Sequence, residues 1–328
     1  MNKLPRRRAL LAVLSTTAAL WLPAHAETTQ TVNFGIISTE STAGLKSAWQ
    51  PLIDDMEKAT GLSIKPFFAP DYAGVIEGMR FNKVQIGWFG NKSGMEAVDR
   101  ANGEVFAKVV NKDGTQGYYS LLIVPKDSPL QSLDDVVKHH AELTLGFGDP
   151  NSTSGTVVPG YFAFAQNHVD PMKDFKRTVR ANHESNLLAV VNKQVDVATN
   201  NTEDWARFEV IHPEQLKQVR QIWRSPQIPS DPLVWRKDLD PAVKAKVRDF
   251  LLAYGDTEHG KQVLVRLGFS GFRASSDAQL VMVRKVELAK QRAQVEQDTA
   301  LSAADKAAKL KAIDERLAAL GSQVASAQ

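Results

Sequence analysis

The 328-residue chain carries 40 Lys and Arg against 37 Asp and Glu, is 43% hydrophobic and 23% charged, and contains no cysteine. That balance describes a folded globular chain with length for about two domains of roughly 150 residues each. It excludes disulfides, thiolate metal sites, cysteine nucleophiles and a lipid anchor on an N-terminal cysteine.

The chain opens on Lys3, Arg6, Arg7 and Arg8, continues through an uncharged apolar run over 9–21, and reaches the small-residue site Ala24-His25-Ala26. This order is the pattern of a secretory signal peptide over residues 1–26. The apolar run is shorter than the roughly 20 residues that span a bilayer, and no later segment is long and apolar enough. Arg7-Arg8-Ala9-Leu10-Leu11 shares its paired arginines both with twin-arginine leaders and with ordinary export signals, so the export route stays open. Cleavage would remove four basic and no acidic side chains, leaving 302 residues with 36 basic against 37 acidic. The basicity therefore belongs to the leader, and the remainder offers no charge-based case for nucleic acid. A soluble periplasmic protein is expected.

Residues 32–38 read as a short buried strand, followed by a helical pattern through Trp49, Leu52, Ile53 and Met56 that stops near Gly61. A strand over 62–68, a helix over 72–81, an apolar strand over 86–89 and a helix over 93–101 continue the alternation. It predicts a mostly parallel α/β sheet. Strands at 105–110 and 118–124 flank the turn Lys112-Asp113-Gly114, and 133–140 is helical. A second α/β series follows: a strand at 143–146, a helix opening near Ser152, a strand around 175–179, a helix over 185–193 and a strand over 195–198. Extended chain returns at 219–223 and 233–235 with Pro226, Pro229 and Pro232 between, which fits a crossing back to the first lobe.

From Pro241 onward no further proline occurs and the pattern is helical over 241–254, 257–267, 276–297 and 302–320. Ser302 and Asp305 form a capping-box pattern. Leu310, Ile313, Leu317 and Leu320 make an apolar stripe that suits packing on the same chain or a helix-mediated homodimer. The expected organisation is lobe 1 over 27–117 plus 224–275, lobe 2 over 118–223, and a helical tail over 276–328.

The stretch richest in chemistry is Gly148-Asp149-Pro150-Asn151-Ser152-Thr153-Ser154-Gly155, between a strand and a helix. Helix N-termini present unpaired N–H groups at a positive dipole end, and three adjacent hydroxyls add donors for a tetrahedral oxyanion. The plainer alternative is one capping serine among loop residues.

That stretch, with Asn33-Phe34-Gly35-Ile36-Ile37-Ser38, Phe68-Ala69-Pro70-Asp71-Tyr72-Ala73-Gly74 and Met79-Arg80-Phe81-Asn82-Lys83, resembles the periplasmic phosphonate-binding proteins of phosphonate importers. Further matching stretches are Glu96 to Gly103, Asp174 to Val179, Gln194 to Glu203 and Phe272 to Ser276, so the similarity runs from about Asn33 through Ser276. The resemblance implies a two-lobed α/β venus-flytrap fold of the type II periplasmic binding proteins, here with a helical C-terminal extension. It implies an ATP-driven ABC importer as partner and a phosphonate ligand, notably 2-aminoethylphosphonate. Carried over residue by residue, it places Tyr72, Tyr118, Ser152, Thr153, Ser154 and His183 around the phosphonate, with Glu203 and Asp231 facing the ligand's ammonium. No cofactor or metal is expected. The tail beyond Ser276 matches the family much less closely.

The residues themselves are compatible with those roles. Tyr72 and Tyr118 can bring phenolic donors from separate regions, and His183 opens a helix where either protonation state can donate. Packing, helix starts, capping and turn formation are their innocent explanations, and those of Glu203 and Asp231. Closure would sandwich a zwitterion, because dry surroundings strengthen contacts to both its charges.

The rival class is a periplasmic enzyme acting on phosphorus esters, with a hydroxyl nucleophile at the helix start. It has little support: His183-Glu184 is followed by Leu187 where a metalloprotease helix needs a second histidine, and Gly260-Lys261-Gln262 lacks a phosphate-binding glycine loop. Within the binding class, phosphite, phosphate or another alkylphosphonate is the alternative ligand. The acidic pair discriminates between them.

Overall fold

The computed structural model describes residues 30–325. The signal peptide and paired arginines read from residues 1–26 lie outside the described residues.

The strands are β1 (Thr31–Ile36), β2 (Ser63–Phe68), β3 (Ile86–Trp88), β4 (Gly103–Asn111), β5 (Gly117–Tyr118), β6 (Ser120–Pro125) and β7 (Thr144–Phe147). They continue as β8 (Arg177–Arg180), β9 (Val197–Asn201), β10 (Val219–Arg224), β11 (Ile228–Pro229), β12 (Pro232–Arg236) and β13 (Phe269–Ala274). Six form one sheet in the order β13-β4-β12-β3-β1-β2, and five form a second in the order β10-β6-β9-β7-β8. Between the sheets the chain crosses twice, and the crossings pair as the two-residue antiparallel ladder of β5 with β11.

Helices α1 (Thr42–Thr60), α2 (Tyr72–Arg80) and α3 (Asn91–Arg100) belong to the first sheet. The second carries α4 (Leu133–His139), α5 (His183–Val191), α6 (Thr202–Ile211) and α7 (Pro213–Leu216), after which α8 (Pro241–Tyr254) and α9 (Glu258–Leu267) return to the first. Local sequence explains these elements directly. In α1 the Ser41 hydroxyl accepts from the Gly44 N–H, Trp49, Leu52, Ile53 and Met56 bury one face, and Gly61 ends the helix at φ +70°. Strand β6 looks uniformly apolar because both its faces are covered: Leu122 and Val124 enter one core, Leu121 and Ile123 another. The first lobe has one larger core with an aromatic centre, where Trp49 and Trp88 lie 5.2 Å apart and Phe269 packs edge-on against both.

One expectation changes and one gap is filled. The sheets are mixed rather than mostly parallel: β1–β2, β1–β3, β7–β8 and β7–β9 are parallel, while β4, β6, β10, β12 and β13 pair antiparallel. Each crossing returns the chain in the opposite direction, which alternation of elements alone does not reveal. Strand β13 fills the gap left unassigned between the helices read over 257–267 and 276–297. Gly268 stops α9 at φ +76°, and Phe269 and Phe272 become fully buried as β13 closes the edge beside β4.

The tail folds as α10 (Val281–Gln297) packed against α11 (Ala303–Ala325). Ile313 of the apolar stripe is buried, Leu310, Leu317 and Leu320 are half-buried, and Arg292 pairs with Asp314 at 2.8 Å between the two helices. The Ser302–Asp305 cap forms, with Asp305 N–H donating to Ser302 Oγ at 3.1 Å. Arg284 clamps α10 to Asp99 through two 2.6 Å bonds, and Gln297 donates to the Ala165 carbonyl at 3.3 Å. No helix among the described residues is long and apolar enough to cross a membrane.

Candidate ligand-binding site

The hydroxyl run lies where β7 hands over to a helical segment. Ser152 is the cap: its Oγ accepts from the Gly155 N–H at 2.9 Å, and its carbonyl accepts from the Val157 N–H, a widened five-residue turn. The turn is tight because Gly148 donates to the Gly155 carbonyl at 2.9 Å; a Cβ on Gly148 would stand 2.5 Å from Gly155 Cα. Ser152, Thr153 and Ser154 are each buried at this helix start. The capping explanation for Ser152 is therefore correct, and it leaves the hydroxyl protons of all three residues as donors.

The other sequence-derived residues converge on the same place. Tyr72 follows the cap Asp71, which accepts from the Gly74 N–H at 2.8 Å, and its own N–H donates across the cleft to Asp149 at 3.2 Å. Tyr118 sits on the crossing strand β5, and Asp231 on the return crossing between β11 and β12. His183 is the first residue of α5, and Glu203 lies in the first turn of α6, which Asn201 caps through the Asp204 N–H at 2.8 Å. Tyr72, Tyr118, Ser152, Thr153, Ser154, His183, Glu203 and Asp231 all line one small cavity between the lobes. Its rims touch: Lys92 N–H donates to Thr153 Oγ1 at 2.8 Å, and Ser41 N–H to Glu184 at 2.7 Å.

Sequence reading missed Arg207, Asp204 and Trp88. Arg207 is the only Lys or Arg among the cavity's lining residues, and its guanidinium is already engaged. It donates to Glu40 across the cleft at 2.6 Å and to Thr39 at 3.3 Å, and it is ion-paired with Asp204. The one-turn spacing of Asp204 and Arg207 was a readable helix pair, but the partner Glu40, 167 positions away, was not. Trp88 gave no signal beyond an aromatic in a strand, yet its buried Nε1 lacks a partner among the described residues.

Burial separates the cavity into two chemistries. It pushes the Tyr72 and Tyr118 phenols well above their usual range, with Asp204 and Asp231 respectively adding to the effect, so both are neutral donors. It pushes His183 down, against the pull of Asp204, so the imidazole is neutral; Nε2 lies 3.4 Å from Ser152 Oγ and 3.7 Å from Asp204. At the opposite end burial raises Glu203 well above the carboxylate range, with Asp231 and Asp204 adding to it and Arg207 opposing. Asp231 is pushed up to about 8 by burial, against the smaller opposing pull of the nearby Tyr118 hydroxyl. Glu203 Oε1 and Asp231 Oδ1 are buried with no hydrogen-bond partner. No group of three or more metal-ligating side chains occurs among the described residues.

The cavity thus has uncharged donors at one end and two under-satisfied acids at the other. Comparison with known proteins gives the family. The family of phosphonate periplasmic substrate-binding proteins of ABC transporters matches residues 34–280. The phosphonates-binding periplasmic protein of Escherichia coli K12 is 55% identical over 301 residues, covering 92% of this chain and 89% of that one. The crystal structure of a binding-protein component of an ABC phosphonate transporter from Pseudomonas aeruginosa superposes with a TM-score of 0.89 at 55% identity, covering 91% of this chain and 99% of that one. A phosphate-import protein of Mycolicibacterium smegmatis is 28% identical over 67% of this chain and 70% of its own. The fold is the two-lobed one of type II periplasmic binding proteins, whose members here bind substrate for a transporter rather than transform it. The chain belongs to the periplasmic phosphonate-binding proteins that serve ABC transporters.

Proposed function

We propose that the chain captures 2-aminoethylphosphonate between its lobes and presents it to the importer. The observation that carries this reading is the pair of buried, unpartnered acceptors, Glu203 Oε1 and Asp231 Oδ1, in the same cavity as the hydroxyls of Ser152, Thr153 and Ser154. A buried acceptor without a donor costs about 1–3 kcal/mol, more if charged, and a ligand ammonium supplies both the donors and the compensating charge. The phosphonate is held by Tyr72, Tyr118, His183 and the three hydroxyls, all neutral, so the anion end adds no cation to counter the acids. Lobe 1 comprises 27–117 plus 224–275 and lobe 2 comprises 118–223, with the β5–β11 ladder as the crossing about which they move.

The relative named for phosphate import favours phosphate as a second reading, and the acid pair argues against it, because phosphate leaves both carboxylates unpaired. Calorimetric titration with aminoethylphosphonate, methylphosphonate, phosphite and phosphate tests the choice. The reading requires aminoethylphosphonate to bind tightest by more than about tenfold, a difference of about 1.4 kcal/mol. Equal affinity for methylphosphonate would refute it. The C-terminal helices bury Ile313 within one chain and leave Leu310, Leu317 and Leu320 half-buried, a stripe for a second copy in a homodimer. Sedimentation equilibrium giving a monomer would remove association through that stripe.

A further inference from the structure

We propose that a proton takes the place of the ammonium when the cavity closes on a phosphonate that has none, so that the Glu203–Asp231 pair admits alkylphosphonates at acid pH. The proposal rests on the zwitterion reading above and extends it to a second class of ligand.

The charges around the pair leave no other source of compensation. From α6 itself come Glu203, Asp204 and Arg207, and the guanidinium is held by Asp204 and by Glu40 from the loop after β1. From the return crossing comes Asp231, and from β5 the Tyr118 phenol, which carries no charge. His183 of α5 is neutral, and Tyr72 of α2 is an un-ionised phenol beside Asp149. Four acids therefore surround one engaged arginine. Part of the Glu203 stem stays accessible, but its Oε1 is sealed, as is Asp231 Oδ1.

Two neighbouring buried carboxylates with no cation cannot both remain ionised at ordinary cost, and the available relief is one proton. Shared by the pair, that proton supplies the acid end with the donor that Glu203 Oε1 and Asp231 Oδ1 lack. Burial in the closed cavity raises both acids, and opening the cleft to water would remove that cause. Closure on methylphosphonate thus takes up a proton. Its affinity rises as pH falls through the window between the raised value of the closed pair and the ordinary carboxylate range, by up to about tenfold per pH unit. Aminoethylphosphonate brings its own positive charge and shows no such uptake at the pair.

The test is calorimetry of the mature protein with methylphosphonate and with aminoethylphosphonate, at pH 7.5 and 5.5, each in two buffers of different ionisation enthalpy. Wild type and Glu203→Gln are compared, with Asp231→Asn as a second variant should the first fail to fold. The titration of methylphosphonate itself is common to all three proteins and cancels in the comparison. The expected result is about one more proton taken up by wild type than by Glu203→Gln on binding methylphosphonate, and more than about tenfold tighter methylphosphonate binding by Glu203→Gln at pH 7.5. Equal proton uptake by wild type and variant, or no measurable methylphosphonate binding by wild type at pH 5.5, overturns the proposal. If wild type still prefers aminoethylphosphonate at pH 7.5, the zwitterion reading survives that failure; if it does not, that reading itself is wrong.

Discussion

The two ends of the cavity are built on different principles. At the anion end the functional groups also hold the fold together: Ser152 caps a helix, Thr153 Oγ1 accepts from Lys92 across the cleft, and the Ser154 carbonyl accepts from Ser120 Oγ at 2.6 Å. At the acid end Glu203 Oε1 and Asp231 Oδ1 satisfy nothing within the protein. Groups that serve the fold tie affinity to stability, whereas groups that serve only a ligand separate the two.

That contrast can be broken or sharpened by substitution. The largest effect is expected away from both ends, at the buried link between the lobes. Arg207→Gln strands Glu40 and Asp204 and should lower unfolding free energy by about 3–5 kcal/mol, read by denaturant titration. A loss below about 1 kcal/mol would mean that the arginine is not the counter-charge of this cluster. Next comes Glu203→Gln, expected to weaken aminoethylphosphonate by about 3 kcal/mol, more than a hundredfold, while leaving the melting temperature unchanged or higher. A matching fall in stability would erase the distinction between the ends.

Ser152→Ala should cost about 1 kcal/mol of stability through the lost cap, and weaken aminoethylphosphonate and methylphosphonate alike. If calorimetry shows the two ligands affected unequally, Ser152 reads more than the phosphonate. The smallest change belongs to Thr153→Ser, which keeps the hydroxyl that Lys92 N–H meets; stability and affinity should both move by less than about 0.5 kcal/mol. A larger loss would assign the effect to the methyl group's packing instead of the hydroxyl.

The same contrast explains what could be read from the sequence. Helix α1 followed from apolar spacing and a glycine stop, both local signals. Ser152, Thr153 and Ser154 stood out because a cap and an anion site share residue types. Glu203 and Asp231 had no such local signature, and only resemblance to a family distinguished them from surface acids. Beyond local reach were β13, whose Phe269-Ser270-Gly271-Phe272 is too short to show a period, and the antiparallel pairings set by the chain's two crossings. The Glu40–Arg207 bridge joins distant segments, and neither residue's neighbours announce it.

Gly148 and Gly155 meet backbone to backbone beneath the hydroxyl run, so the pocket's shape depends on the lack of two methyl groups. Alanine at Gly148 would wedge the strand from the helix and misaim three side chains it never touches. A bacterium could thus lose a nutrient through a codon whose product meets neither cargo nor transporter.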